Sequence, residues 1–287
     1  MKRFAALALV IVTACGTPEP KVDPVHQQEI QAWQKDRDTR LRKEDSWLTL
    51  IGLHWLKDGE NEVTLSKPNV PHVRVLRNGA TTTLHPDPAM TIGGKPVTAD
   101  VPLLADADAN GPTIVQMGPV RFNVIKRGER YALRVKDAEA ETRTQFQGLQ
   151  YYPIDPKWRV TARFEAYHPP KMIPITDVTG ATSDSLSPGA LLFELDGKEF
   201  RLDPILEEGS DEYFIIFRDL TSSDTTYQAG RYLYAPMAKD GKTTIDFNKA
   251  YNPPCAFTHF ATCPLPPMQN RMPIRVEAGE KRYAGHH

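Results

Sequence analysis

The feature that most restricts this chain is a series of tight-turn signals set between short apolar runs. Asn78-Gly79 separates VRVLR from TTTLH, and Gly93-Gly94 separates Met90–Ile92 from Val97. Gly128 separates FNVIK from YALRV, Asp196-Gly197 separates LLFEL from EFRL, and Asp240-Gly241 separates RYLYA from TTIDF. Such residues reach the positive φ that two-residue hairpin turns require, and the β-branched and aromatic residues around them favour strands. These units imply about ten or more strands in an antiparallel meander, barrel or sandwich. Proline, 25 of 287 residues, exceeds its usual share of about 5% and argues against a helical bundle. The expected fold class is all-β, mainly antiparallel hairpins forming a barrel or sandwich, with one N-terminal helix.

That helix is expected over residues 24–43. Asp23-Pro24 reads as an N-cap followed by Pro at the first helical position. Ile30, Trp33 and Leu41 fall near one face, and Asp36/Arg40 and Asp38/Arg42 are spaced as i,i+4 ion pairs. The basic stretch from Arg37 to Lys43 reads as a solvated face, because acids interleave with the bases. From Ser46 the pattern changes to period two, and Trp47, Thr49 and Ile51 alternate with Leu48, Leu50 and Gly52 in a strand expected to be buried on both sides. The stretch from His168 to Gly189, rich in Pro, Gly, Ser and Thr, reads as a long loop or seam.

Residues 1–15, MKRFAALALVIVTAC, carry Lys2 and Arg3, an apolar run from Phe4 to Val12 and small residues before Cys15. That is an export signal, too short to span a bilayer as a stable helix. Val12-Thr13-Ala14-Cys15 resembles a bacterial lipobox, which implies removal of residues 1–14 and acylation of Cys15. Gly16, rather than Asp, after the cysteine implies the outer membrane. The expected location is therefore the cell envelope, lipid-anchored and facing the periplasm, with the membrane as a partner. Residues 15–23 read as the lipidated Cys and its tether, and residues 24–287 as a single β-rich domain. With 35 Lys+Arg against 36 Asp+Glu, the chain lacks the basic excess of a nucleic-acid binder, and no nucleic-acid partner is expected.

Residues 246–271 combine Pro253, Pro254, Pro264, Pro266 and Pro267 with Phe247, Tyr251, Phe257, Phe260 and Leu265. Those prolines oppose helix and sheet pairing, while the apolar surface exceeds what a solvated loop needs. The segment reads as an irregular ordered strap, and ordered irregular backbone is where sites tend to sit. Cys255 and Cys263 are the cysteines besides Cys15. In an oxidising compartment the pair reads first as a disulfide. The alternatives are two free thiols, or a zinc or copper site with His259, which stands midway between them.

No nucleophile elbow, zinc-protease helix, phosphate loop or dinucleotide-binding turn is present, so no catalytic motif and no cofactor is indicated. Asp219 and Asp246 are the carboxylates that an acid/base enzyme would use, if burial or a neighbour shifts a pKa. A second constellation is the set of arginines on expected strands and turns: Arg127, Arg130, Arg134, Arg143, Arg159, Arg163 and Arg231. Arginine forks hold carboxylate or phosphate through paired hydrogen bonds, so several of them inside a barrel or cleft make an anion pocket. The ligand-binding candidates are Arg134, Tyr227, Arg231, Asn248, Asn252 and Arg271. Tyr227 and Arg231 are placed first, because their even spacing allows one sheet face.

The strings DSWLTLIGLHWLKDGEN (45–61), DANGPTIV (108–115), RTQFQGLQYYP (143–153), TTYQAGRYL (225–233) and DFNKAYNPPCAFTHFATCPLPPMQNRMPIRVEAGEK (246–281) resemble the bacterial family named domain of unknown function 1684. The resemblance implies a shared β-rich fold and a carboxy-terminal block around Asn252-Pro253-Pro254-Cys255 and Cys263-Pro264, and no established activity. The expectation that follows is a lipid-anchored envelope protein that binds a small ligand, anions among the candidates, or an envelope partner. The alternatives are a hydrolase-type enzyme using Asp219 or Asp246, and a Cys/His metal protein.

Overall fold

A computed structural model describes residues 22–65 and 72–285. Cys15 and the rest of the expected signal lie outside the described residues. Helix α1 (Pro24–Leu41) opens with the Asp23 carboxylate accepting from the Val25 N–H at 2.9 Å. Its surface carries the two i,i+4 pairs, Arg40–Asp36 at 2.9 Å and Arg42–Asp38 at 2.7 Å. Ile30 and Leu41 are fully covered. Arg37 departs from the expected solvated face and is buried against the carboxy-terminal segment.

Ten strands follow: β1 (Leu50–Leu56), β2 (Gly59–Val63), β3 (Val73–Asn78), β4 (Thr81–Leu84), β5 (Asp87–Ile92), β6 (Lys95–Val97), β7 (Val101–Leu103), β8 (Val115–Met117), β9 (Val120–Arg127) and β10 (Arg130–Asp137). They form a six-stranded sheet in the order β1-β10-β9-β8-β5-β6 and a four-stranded sheet in the order β2-β3-β4-β7. Val73, Val75, Leu84, Val115, Phe122, Leu133 and Val135 close the core between them. Strand β1 starts at Leu50 rather than Ser46, because Trp47–Thr49 form a 3-10 turn in which the Leu48 N–H is capped by the Ser46 hydroxyl.

After a short helix α2 (Glu141–Thr144) come β11 (Arg159–Thr176), β12 (Thr182–Leu195), β13 (Lys198–Leu202), β14 (Glu212–Phe217), β15 (Arg231–Pro236) and β16 (Lys242–Asp246). Four of these make a sheet in the order β13-β12-β11-β16, while β14 and β15 form a separate hairpin. Trp158, Leu191, Phe193, Leu202, Ile215, Phe217, Leu233 and Phe247 fill the space between hairpin and sheet. All the ladders named are antiparallel, and the expected all-β class with one N-terminal helix is the observed one.

Four of the expected turns join paired strands: β3–β4, β5–β6, β9–β10 and β12–β13. At Asp196-Gly197 both residues hold positive φ (49° and 72°), the geometry that lets a two-residue turn follow strand twist. Asp240-Gly241 also turns tightly, with φ of 52° and 72°. There, however, β16 leaves β15 and pairs with β11, so that turn carries the chain between sheets. The expected loop from His168 to Gly189 is also corrected: it belongs to the long β11–β12 ribbon, paired from Arg163–Leu192 to Thr176–Thr182 with an irregularity between Ala166 and Lys171. Much of that ribbon is wet on both faces, which removes the apolar alternation a strand normally displays.

Candidate functional site

A cavity of about 810 Å³ lies where α1, the first β-sheet, the β14–β15 hairpin and the strap meet. This volume is within the range of about 300–1,000 Å³ typical of small-molecule sites. Its wall is aromatic: Trp33 from α1, Trp47 from the turn before β1, Phe214, Tyr232 and Tyr234 from the hairpin, and Tyr251 from the strap. Strand alternation explains the hairpin's share. Phe214, Tyr232 and Tyr234 point to one face, whereas Ile215, Phe217, Leu233 and Ala235 point to the core on the other. Phe214 stacks on Tyr234 with centroids 4.9 Å apart, and Tyr251 meets Tyr232 edge-on at 5.8 Å.

The same rule places Arg134. On β10 its neighbours Leu133 and Val135 enter the first core, so Arg134 turns to the opposite face and into the cavity wall. Its guanidinium lies over the Trp47 ring at 5.3 Å. The Nε is buried without a hydrogen-bond partner, and no carboxylate pairs with this arginine among the described residues. Burial, with the like charge of Arg127 nearby, lowers its pKa to about 10. Such a guanidinium gains from an incoming anion both the Coulomb term and the hydrogen bonds it lacks. Arg127, beside it, donates to Thr262 at 2.9 Å and pairs with Asp106 at 2.8 Å, tying the first sheet to the strap.

Helix α1 closes the cavity through buried polar contacts. Arg37 pairs with Glu280 at 2.9 Å, donates to the Asn252 carbonyl at 2.9 Å and sits over the Tyr251 ring at 4.8 Å. Glu280 in turn accepts from the Asn252 N–H at 2.7 Å. Near the start of the helix, His26 Nε2 lies 2.7 Å from Asp246 Oδ2. Glu29 receives Lys249 at 2.6 Å and Arg159 at 3.0 Å, and the hydrogen bond from Lys249 is the first cause of its lowered pKa.

The sequence-derived candidates separate in space. Arg134 and Asp246 line the cavity. Arg231 is fully covered in the second core and donates to the carbonyls of Val276 and Ala278, with Asp219 3.4 Å away. Asp219 also accepts from Thr221 and from the Val276 N–H at 2.6 Å, so this pair fastens the carboxy-terminal segment rather than facing the cavity. The expectation that Tyr227 and Arg231 share a strand face is corrected: Tyr227 precedes β15 and donates to the Cys255 carbonyl at 3.0 Å. Burial pushes the Tyr227 phenol up to about 12. Asn248 is held by Asp155 and Asp246, and Asn252 by Glu280, Arg37 and the Lys281 carbonyl. Arg271 lies in a separate open depression with Arg218 and Leu220.

Cys255 and Cys263 are free thiols, which corrects the expected bridge. Cys255 starts no covalent link; its N–H donates to Cys263 Sγ at 3.1 Å, and its own thiol points to the Ala261 carbonyl at 3.5 Å. Burial raises the Cys263 pKa, while the hydrogen bond from the Cys263 thiol lowers that of Cys255. Among the described residues no group of three His, Cys, Asp or Glu is placed to hold a metal ion. The cavity residues that sequence reasoning passed over are Trp33, Trp47, Glu207, Glu212 and the hairpin tyrosines. The alternation of Tyr232 and Tyr234 with Leu233 and Ala235 was the signal available for the tyrosines.

Comparison with known proteins adds a family and no activity. The family described as "Protein of unknown function (DUF1684)" matches residues 144–281. That span holds the hairpin and the strap, and leaves Arg134 and α1 outside it. Among solved structures, an uncharacterized protein of Haloarcula marismortui, determined by solution NMR, is 34% identical. That match covers 51% of this chain and 82% of that one, with a TM-score of 0.43. No curated protein matches the chain.

Proposed function

We propose that this chain, which belongs to the family described as "Protein of unknown function (DUF1684)", is a binding protein that takes a small organic anion into the cavity at the junction of its sheets. The observation that carries this reading is Arg134, a largely buried guanidinium with no acid partner among the described residues, set over Trp47 in a cavity of about 810 Å³. Its head group meets Arg134, and its apolar body lies along the aromatic wall. Native mass spectrometry of protein purified from its own cells tests this: a small organic acid leaves wild type on activation, and Arg134→Gln carries none. Wild-type protein that releases nothing, and that takes up none of a panel of aliphatic and aromatic carboxylates, contradicts the reading.

The binding domain is anchored in the envelope. The pattern of residues 1–15 supports lipid attachment at Cys15 and an outer-membrane address facing the periplasm. Radiolabelled palmitate is expected to follow the wild-type chain and to be absent from Cys15→Ser. Label equal in both, or in neither, overturns the anchor. A hydrolase reading keeps one supporting observation, the Asp246 carboxylate in the cavity wall against His26. It predicts ester turnover that Asp246→Asn abolishes.

A further inference from the structure

The charges around the cavity select more than an anion, and the inference drawn from them rests on the cavity being a ligand site. Most of its charged residues already have partners: Glu29 takes Arg159 and Lys249, Asp246 takes His26, Arg37 takes Glu280, Arg40 takes Asp36 and Arg127 takes Asp106. What remains in the wall without an ion-pair partner among the described residues is Arg134 on one side and Glu207 and Glu212 on the other. The Glu207 carboxylate accepts from the Tyr234 hydroxyl at 2.9 Å.

The hairpin register separates these two ends. Glu212 faces Pro236, Phe214 faces Tyr234 and Ile216 faces Tyr232. The Tyr232 hydroxyl donates to the Pro264 carbonyl at 2.8 Å, beside Cys263 and Thr262, where Arg127 arrives. Along the hairpin Glu212 stands four residues, about 13 Å at ~3.3 Å per residue, from the Ile216–Tyr232 pair, and Glu207 reaches the Tyr234 hydroxyl two residues from Tyr232, while Arg134 lies near Arg127 and Cys263 beyond Tyr232. Phe214 and Tyr234 lie between them and offer ring faces to an alkyl chain or to a cation.

We propose that the ligand is an elongated zwitterion. Its carboxylate or other oxyanion pairs with Arg134, its apolar middle follows the tyrosine wall, and its ammonium group sits against Glu207, Glu212 and the Tyr234 ring. Calorimetric titration at low salt with 8-aminooctanoate, octanoate and octanedioate tests this on wild type and on the Glu207→Gln/Glu212→Gln variant. Both glutamates are exposed, so the variant folds without loss of core contacts. Wild type is expected to bind 8-aminooctanoate at least about tenfold more tightly than either acid, the size of one charge-assisted contact. The double variant loses that preference. Equal binding of octanoate and 8-aminooctanoate, or a preference that survives in the variant, overturns the zwitterion and leaves the anion site standing. Failure of all three probes to bind wild type removes the site itself, and the inference with it.

Discussion

Removing the Arg37 side chain tests how α1 is held over the cavity. Glu280 is fully covered and Arg37 nearly so. In Arg37→Met the Glu280 carboxylate keeps the Asn252 N–H at 2.7 Å and loses its guanidinium, while the Asn252 carbonyl loses a donor. Breaking a buried pair from one side costs about 3–5 kcal/mol, because a desolvated charge is left behind. That lowers the folded-to-unfolded ratio by about two to four orders of magnitude. Lost contact with the Tyr251 ring adds to it. Urea unfolding followed by far-UV circular dichroism and by tryptophan emission reads the loss. Arg37→Met combined with Glu280→Gln should recover part of it, giving a coupling well above the roughly 0.5 kcal/mol expected of independent sites. A loss below about 1 kcal/mol for Arg37→Met, the size of an exposed pair, or strict additivity in the double variant, refutes the claim that this contact anchors the helix.

Other outcomes follow from the same geometry. Asp219→Asn strands the covered Arg231 and is expected to cost about 3–5 kcal/mol in urea unfolding; a near-neutral result contradicts its fastening role. Glu29 has a lowered carboxyl pKa, held first by the Lys249 hydrogen bond, so its contribution is present above the ordinary glutamate value and is lost as pH falls through the lowered one. Unfolding measured from neutral pH into acid should therefore fall less steeply in Glu29→Gln than in wild type; identical acid limbs would exclude Glu29 as a contributor. Alkylation of native protein should modify Cys255 before Cys263, and Cys263→Ala should slow Cys255 by removing the donor that stabilises its thiolate. Cys263 reacting first, or no free thiol in denaturant without reductant, contradicts the observed thiol pair.

The hairpins were legible because their determinants are local: a turn residue with positive φ and the strand formers beside it. The destination of a strand is not local. After Asp240-Gly241 the chain pairs with β11, some eighty residues earlier, and nothing within the turn encodes that choice. The Pro- and Ser-rich ribbon around Lys171–Ser187 hid its pairing, because strands wet on both faces show no apolar period. Helix α1 was readable from its cap and ion pairs, but not its docking. His26 and Arg37 reach Asp246 and Glu280, whose positions only the folded chain brings near.

The arginines teach a similar lesson about parity. Arg231 alternates with Leu233 and Ala235, both core residues, so its own strand pattern directs it inward, and even spacing to Tyr227 carried no information once the strand began at Arg231. Arg134 stands between Leu133 and Val135, and that pattern turns it away from the core and toward Trp47. The unpaired state of Arg134, on which the functional reading depends, is a three-dimensional fact that no spacing expresses.

The most direct test of that reading watches Trp47 beneath the arginine. In a protein with Trp33, Trp55 and Trp158 replaced by Phe, Trp47 is the sole indole and lies 5.3 Å from the Arg134 guanidinium. Titration with octanoate is expected to change its emission saturably, and the change should vanish in the same background carrying Arg134→Gln. Emission that octanoate leaves untouched, or that responds equally with and without Arg134, contradicts the account.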